Sequence, residues 1–294
     1  MPRSGHIVLA GRPNVGKSSL LNRLVGEHLA LVSSKAQATR LPVIGLRTEG
    51  DVQFVFEDLP GLLDPEYLLQ QRMRALALEG IRRADLILHL HPAPEAPAPD
   101  FWELVREVAI GSSPRPPILI VYTKGDLVSG ERLTALTSLF PPSVAVSSTT
   151  GQGIAELLAA IAARLPEREF AYPEDELGTQ PLRFFAVEYL REAAFAALED
   201  ELPYAFTAEI DEFRESTDPV YIRATLFVER ESQKGILIGE AGRTLKAIGK
   251  HARARLEQLL GRHVYLETWV KVLPKWRRDP AQLKRFGFPD PPIR

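Results

Sequence analysis

The sequence predicts an α/β domain, with a mixed, mostly parallel sheet covered by helices on both faces, followed by a compact α+β domain. Three observations carry this reading. Short apolar runs alternate with helical periodicity from residue 6 to residue 165, the pattern of βαβ units. A glycine-rich loop joins the first apolar run to the first helical stretch. After an acidic, proline-containing break the rhythm becomes α-β-β-α-α-β. The 294 residues suffice for two cores, and 45% apolar against 25% charged residues argues against a disordered chain.

The elements follow in order. His6 to Ala10 is a short apolar strand, and Leu20-Leu21-x-x-Leu24-Val25 repeats at helical spacing. Pro42 to Asp58 reads as two strands about the turn Glu49-Gly50-Asp51. Helical periodicity spans Leu68 to Arg83. Ala84 to Leu90 and Pro117 to Tyr122 read as buried strands. Between them lie a proline-rich loop, His91 to Asp100, and a helix from Asp100 to about Ala109. A strand at Val144 to Val146 and a helix from Ile154 to Leu165 close the first domain, residues 1–165. Residues 166–180 read as a linker. In the second domain, 181–294, Leu182 to Glu201 is helical, and Tyr204 to Phe213 and Val220 to Val228 are strands. A glycine-punctuated helical pair follows, then a strand from His263 to Val272 and a basic tail.

Charge is unevenly spread. Residues 229–294 hold 15 Lys/Arg against 7 Asp/Glu, although the whole chain carries a net charge of only −2. A basic end on an acidic body suits an anionic polymer meeting one end of the molecule, and a solvated tail stands beside that reading. With no cysteine there are no disulfides, thiolate metal sites or cysteine nucleophiles. The apolar run near the N-terminus is too short for a signal-peptide core, and no run approaches the ~18–20 residues of a membrane span. The expectation is a soluble, cytoplasmic monomer. His89 and His91 sit at a strand edge without acidic residues at ligand spacing and read as packing residues.

Gly11-Arg12-Pro13-Asn14-Val15-Gly16-Lys17-Ser18 fits GxxxxGK[ST] between a strand and a helix, the context of a P-loop. Its backbone N–H groups and the helix N-terminus would cradle phosphates, with Gly11, Asn14, Val15, Gly16 and Ser19 lining the turn. Lys17 would reach the β- and γ-phosphates and the Ser18 hydroxyl would ligate Mg²⁺. Asp58-Leu59-Pro60-Gly61 ends a strand as DxxG does: Asp58 on Mg²⁺, the Gly61 N–H toward the γ-phosphate. Thr123-Lys124-Gly125-Asp126 stands at [NT]KxD, where Asp126 would accept from guanine N1–H and N2–H₂ and the Lys124 stem would cover the base. Thr123 replaces the commoner Asn and loses an amide donor. Ser147-Ser148-Thr149-Thr150-Gly151 resembles the SAxxG loop that meets guanine O6. In this order the four motifs favour GTP over ATP. An ATPase or kinase stands as a rival, which Asp126 discriminates.

The run of motifs resembles the translation-factor-class GTPases. Leu190-Arg191-Glu192, Glu201-Leu202-Pro203-Tyr204, Glu209 to Phe213, Gly235 to Gly242 and Leu259 to Val272 narrow the resemblance to the Era family of KH-domain GTPases. It covers nearly the whole chain. It implies a type II KH fold for the second domain, GTP/GDP and Mg²⁺ as cofactors, and slow hydrolysis of GTP to GDP and phosphate. It further implies binding to the 3′ end of small-subunit (16S) rRNA, a role in 30S ribosomal subunit assembly, and peripheral contact with the inner face of the membrane. Switch I, Lys35-Ala36-Gln37-Ala38-Thr39-Arg40-Leu41, resembles the family's KPQTTRH with Ala36, Ala38 and Leu41 in place of Pro, Thr and His, and keeps Thr39 as the Mg²⁺ and γ-phosphate ligand.

Gly239-Glu240-Ala241-Gly242 between two helical segments is the GxxG turn of a KH domain, whose groove takes about four unpaired nucleotides. Lys234, Arg243, Lys246, Lys250 and Arg253 flank it, several on one helical face. Glu240 departs from the family's basic or neutral residue. In the tail Lys275-Trp276-Arg277-Arg278, Lys275 and Arg277 would meet phosphate, and Trp276 either stacks on a base or packs the last helix. The catalytic candidates are Lys17, Thr39, Gly61 and Asn14. Leu62 follows DxxG where many GTPases place a water-orienting Gln. Asn14 matches the Asn that holds K⁺ in potassium-activated relatives, and simple loop stabilisation is its other reading. Two further rivals are an RNA-binding adaptor with GTP as a structural ligand and a GTPase acting on tRNA or the large subunit.

Overall fold

The computed structural model describes residues 1–106, 115–139 and 142–290. In chain order the elements are β1 (Arg3–Ala10), α1 (Lys17–Val25), β2 (Val43–Glu49), β3 (Val52–Asp58), α2 (Leu68–Arg83), β4 (Leu86–Pro92), α3 (Phe101–Leu104), β5 (Ile118–Thr123), α4 (Gly130–Leu139), β6 (Ser143–Ala145) and α5 (Ile154–Ala162). The second half adds α6 (Leu182–Ala197), α7 (Leu202–Ala205), β7 (Thr207–Arg214), β8 (Val220–Val228), α8 (Glu231–Ile238), α9 (Arg243–Leu260), β9 (Val264–Val272) and α10 (Pro280–Arg285).

Among the described residues the first sheet has six strands in the order β2-β3-β1-β4-β5-β6. Only the β2–β3 hairpin is antiparallel; the other pairs are parallel. The switch from β1 to β3 on one side and β4 on the other puts the loops after β1 and β3 at one crevice, where open α/β sheets bind ligands. The two faces pack separately. Leu20, Leu21 and Leu24 of α1 with Leu157 and Ile161 of α5 bury one, and Ala77 and Ile81 of α2 with Phe101 the other.

The second sheet runs β7-β8-β9, β7 antiparallel and β9 parallel to β8. Alternation along β8 buries Val220, Ile222, Ala224 and Leu226 against Ile248, Ala252 and Leu256 of α9. The expected linker is tied down. The buried Gln53 side chain accepts from the N–H groups of Ala171 (2.9 Å) and Tyr172 (3.1 Å) and donates to the Tyr172 carbonyl (2.8 Å).

Several boundaries differ from expectation. The strand expected from Tyr204 starts at Thr207, because Pro203 near the N-terminus of α7 favours a helical turn over residues 202–205. The helix expected to Glu201 ends at Ala197. That expected over 100–109 is helical at Phe101–Leu104, and its last three positions lie outside the described residues. Helices α4 and α10 were not expected. Asp279 caps α10, its carboxylate accepting from Ala281 N (2.8 Å) and Gln282 N (3.2 Å), with Pro280 at the first helical position.

The tail folds back onto the first domain. Leu69 and Met73 of α2 share a buried cluster with Trp276, Leu283 and Phe288. This corrects the RNA-stacking reading of Trp276: the indole is fully buried, donates to the Ala205 carbonyl at 2.8 Å and meets Phe286 edge-on. Arg277 is corrected too. It pairs with Glu229 at 2.6 Å and lies 5.2 Å from the Tyr67 ring centroid, so its charge is spent inside the molecule.

His89 packs 5.1 Å from Phe101, and burial, then the neighbouring His91, pushes its imidazole down to about 4. His91 faces the Glu95 carbonyl at 2.9 Å. A lowered folded value means the unfolded chain takes up the proton first. The stability of the neutral ring is therefore complete above the ordinary value of 6.5 and is lost as pH falls toward 4. His89→Phe is expected to remove up to about 3 kcal/mol of that acid-side loss, read as a flatter difference in unfolding free energy between pH 7 and pH 4.

Candidate nucleotide site and nucleic-acid interface

The loop after β1 makes the turn the P-loop reading requires. Gly16 has φ 96° and Asn14 has φ 63°, both left-handed, and a Cβ on Gly11 would lie 2.6 Å from the Leu90 carbonyl oxygen. Helix α1 then starts at Lys17 with no side-chain cap, leaving its first N–H groups for a ligand. Lys17 is buried, its ammonium donating to the carbonyls of Arg12 (3.0 Å) and Gly11 (3.4 Å).

Three residues far apart in sequence converge beside it. Ser18 Oγ donates to Asp58 Oδ2 at 2.6 Å, Thr39 Oγ1 donates to the same oxygen at 3.0 Å, and the two hydroxyl oxygens are 2.8 Å apart. Asp58 Oδ1 is buried without a hydrogen-bond partner among the described residues. Burial raises the Asp58 carboxyl above its ordinary value, opposed by Lys17 and both hydroxyls; burial lowers Lys17, opposed by Asp58. Two hydroxyls and one carboxylate, whose Oδ1 has no hydrogen-bond partner among the described residues, are a hard donor set that fits Mg²⁺. A cavity of about 500 Å³ opens beside them and reaches from the P-loop along residues 31–39 to Gly61 and Lys124. A Cβ on Gly61 would lie 2.9 Å from Pro13, so the DxxG turn sits directly on the P-loop.

The remaining motifs are bound to this loop. Thr123 Oγ1 donates to the Val15 carbonyl at 2.6 Å, so the hydroxyl supplies a tie to the P-loop in place of the expected amide. Gly125 N donates to the Val146 carbonyl at 2.9 Å, and Ser147 Oγ accepts from Thr150 N at 3.1 Å. Asp126 is exposed and Ser148 half-buried beyond the cavity's lining. Asn14 Nδ2 donates to the Ser34 carbonyl at 2.9 Å, across the cavity mouth.

Sequence reasoning missed Arg40. It is 3% exposed, and its guanidinium donates to the carbonyls of Phe206 (2.8 Å), Tyr204 (3.0 Å) and Pro203 (3.2 Å). The Trp276 and Phe195 ring centroids lie 5.7 and 5.9 Å away. Lys35 donates to the Phe195 carbonyl at 2.5 Å, and Arg191 donates to the Ala38 carbonyl at 2.7 Å and to both oxygens of Glu188. Switch I is thereby held by the second domain. The sequence signal was its match to the arginine of the family's KPQTTRH segment, which gave it no role.

In the second domain Gly239 (φ 72°) and Gly242 (φ 77°) turn the chain between α8 and α9, and a Cβ on Gly239 would meet Thr244 Oγ1 at 2.3 Å. Ala241 shares the left-handed region at φ 51°. Arg243, Lys246, Lys250 and Arg253 are exposed at helical spacing along α9, with Lys234 half-buried on α8 and Lys275 exposed in the tail. Glu240 pairs with Arg243 at the surface.

Two family models match the chain: a 50S ribosome-binding GTPase domain over residues 6–124 and a KH domain over 201–277. GTPase Era of Geobacter metallireducens is 40% identical across 97% of this chain and 98% of the relative. GTPase Era of Mycolicibacterium smegmatis is likewise 40% identical, across 97% and 99%. Among solved structures, a variant of Aquifex aeolicus Era bound to GDP·AlF₄⁻ superposes with TM-score 0.91 at 35% identity, covering 97% of this chain and 99% of that one. Era in complex with MgGDPNP and nucleotides 1506–1542 of 16S ribosomal RNA superposes equally well at 34% identity, covering 98% and 99%. Likeness of this order over both domains together goes beyond a shared fold: the chain belongs to the Era family of GTPases, with GTP or GDP and Mg²⁺ as its cofactors.

Proposed function

We propose that this GTPase is a nucleotide-gated RNA clamp, which holds the 3′ end of small-subunit (16S) rRNA in its KH domain during 30S assembly and maturation. The observation that carries the gating is the adjacency of Thr39 and Arg40: one belongs to the Ser18–Asp58 cluster, the next is caged by carbonyls of the second domain. The RNA assignment draws on the exposed cations of α9 beside the GxxG turn and on the RNA held by the related Era. The peripheral membrane contact rests on resemblance alone; among the described residues no helix is long and apolar enough to cross a membrane.

In this reading Lys17 and the N–H groups of the P-loop bind the β- and γ-phosphates, and the Gly61 N–H meets the γ-phosphate. Ser18, Thr39 and Asp58 hold Mg²⁺, which when bound neutralises charge on the phosphate oxygens. Asp126 reads the guanine edge, Lys124 covers the base, and Thr123, Ser147 and Ser148 frame it. Leu62 is buried, its N–H donating to the Gly11 carbonyl at 3.0 Å, and offers no side chain to orient water. Intrinsic hydrolysis is therefore slow. Asn14, its amide nitrogen donating to the Ser34 carbonyl, offers its Oδ1 to a K⁺ ion in the place of an arginine finger.

Three measurements test these assignments. An oligonucleotide from the small-subunit rRNA 3′ end is expected to bind the GTP-analogue form about 5- to 150-fold more tightly than the GDP form, the usual range of allosteric coupling; a scrambled oligonucleotide should not. Arg40→Lys, a point charge that cannot span three carbonyls, should collapse that ratio while Mg·GTP binding survives. Equal affinities in both nucleotide states would refute the gate. Turnover in KCl is expected to exceed that in NaCl by about tenfold, and Asn14→Ala should abolish the difference. Asp126→Asn, losing two charge-assisted bonds of ~1.5–3 kcal/mol each, should weaken GTP at least about 100-fold and favour xanthine nucleotides.

A further inference from the structure

The outer face of the second sheet carries a row of rings that the nucleotide and GxxG sites do not use. Register aligns Arg214, Tyr221 and Tyr265 across the three strands. The two tyrosine rings stack with centroids 5.8 Å apart and planes 10° from parallel, and the Arg214 guanidinium lies 5.1 Å from the Tyr221 centroid. One carboxylate fixes the neighbouring rings: Glu267 accepts from the Tyr221 hydroxyl at 2.5 Å and from the Trp269 indole N–H at 2.9 Å. Yet Trp269 is 57% and Tyr265 56% exposed. Large aromatic surface held rigid in water is pre-organised to bind, since no side-chain freedom is left to lose.

The rest of that face says what it takes. Its far end is already covered, Phe227 lying against Phe286 and Arg285 of the C-terminal segment, and the Trp269–Tyr265 side is open. That side belongs to β9, an edge strand, whose inward residues pack on α8 and α9, the two helices joined by the GxxG turn. Strand β9 thus separates the cationic helical face from the rings, and Lys271 stands exposed beside Trp269 on its outer side. A polynucleotide longer than the about four nucleotides a KH groove accepts meets the exposed rings once it crosses this edge. Flat rings suit unpaired bases, with the Lys271 ammonium beside them for a phosphate, while Arg214 and Arg223 pair with Glu212 at 2.6 and 3.4 Å.

We infer that the outer face of β9 is a second stacking surface for unpaired RNA, seating bases on Trp269 and Tyr265 as an extension of the GxxG groove. This rests on the RNA-binding reading above. The test uses the full chain in its GTP-analogue form, with an rRNA 3′-end oligonucleotide of about five nucleotides and a version extended to about twelve unpaired ones. Trp269→Ala and Tyr265→Ala are each expected to leave the short RNA within about twofold of the unaltered chain and to weaken the long RNA about tenfold; Trp269→Phe should keep most of the affinity. Equal weakening of both RNAs would overturn the inference, because the rings would then support the groove itself. Unchanged affinity for both would overturn it in favour of a protein partner on this face. Failure of the unaltered chain to bind either RNA would instead defeat the RNA reading of the whole domain.

Discussion

Arg40 is a buried guanidinium with no carboxylate among its hydrogen-bond partners, and the joining of the two domains depends on it. Removing such a charge from water costs several kcal/mol. Three charge-assisted bonds to carbonyls, about 1.5–3 kcal/mol each, and the faces of Trp276 and Phe195 offset that cost. The carbonyls belong to the turn α7 and the residue after it, groups that would otherwise be left short of donors inside a packed interface. Around this point the other ties assemble: Lys35 on the end of α6, Arg191 bridging Glu188 to Ala38, and Tyr189 donating to the His28 carbonyl at 3.1 Å.

A second tie runs through the segment after the DxxG turn, residues 61–70. Tyr67, just before α2, donates to Gln37 of switch I at 3.2 Å, and its ring faces Arg277, which pairs with Glu229 at the entry to α8. Arg72, one turn into α2, donates to the Phe288 carbonyl at 2.5 Å. Both segments that flank the cavity are therefore gripped by the second domain, and at Glu229 the grip adjoins the helix leading to the GxxG turn. These contacts bypass the linker, which lies along the first domain through Gln53.

Much of this was legible in the sequence, for a local reason. The P-loop, the hairpin about Gly50 and helix α2 are written in contiguous residues whose periodicity and turn chemistry need no partner. The Ser18–Thr39–Asp58 cluster was legible because each member sits in its own local motif. The tail was not. In Lys275-Trp276-Arg277-Arg278 nothing local distinguishes a ring that stacks on RNA from one buried under Phe286, and the residues that decide it, Ala205 and Leu69, lie 71 and more than 200 positions away. Arg40 was hidden likewise, its partners being 163 to 166 residues distant. The pairing of Thr123 with the P-loop shows the converse: a departure from the common residue that reads as a loss in sequence is met by a different donor in space.

The geometry at Thr39 and Arg40 sets how far the two domains are independent. Consecutive Cα atoms are about 3.8 Å apart and joined by a planar peptide, so Thr39 cannot shift substantially without carrying Arg40. Hydrogen bonds of 2.8–3.2 Å tolerate only a few tenths of an ångström before they weaken steeply. A displacement of Thr39 by about an ångström is therefore taken up by the Arg40 side chain, by movement of residues 203–206 with it, or by the bonds of the desolvated guanidinium. Breaking them strands a buried charge at a cost of about 3–5 kcal/mol, more than the 1–3 kcal/mol of typical coupling between sites. The proposed gate uses movement of the second domain in place of that loss, and the carbonyls caging Arg40 belong to the chain that leads directly into β7 of its sheet.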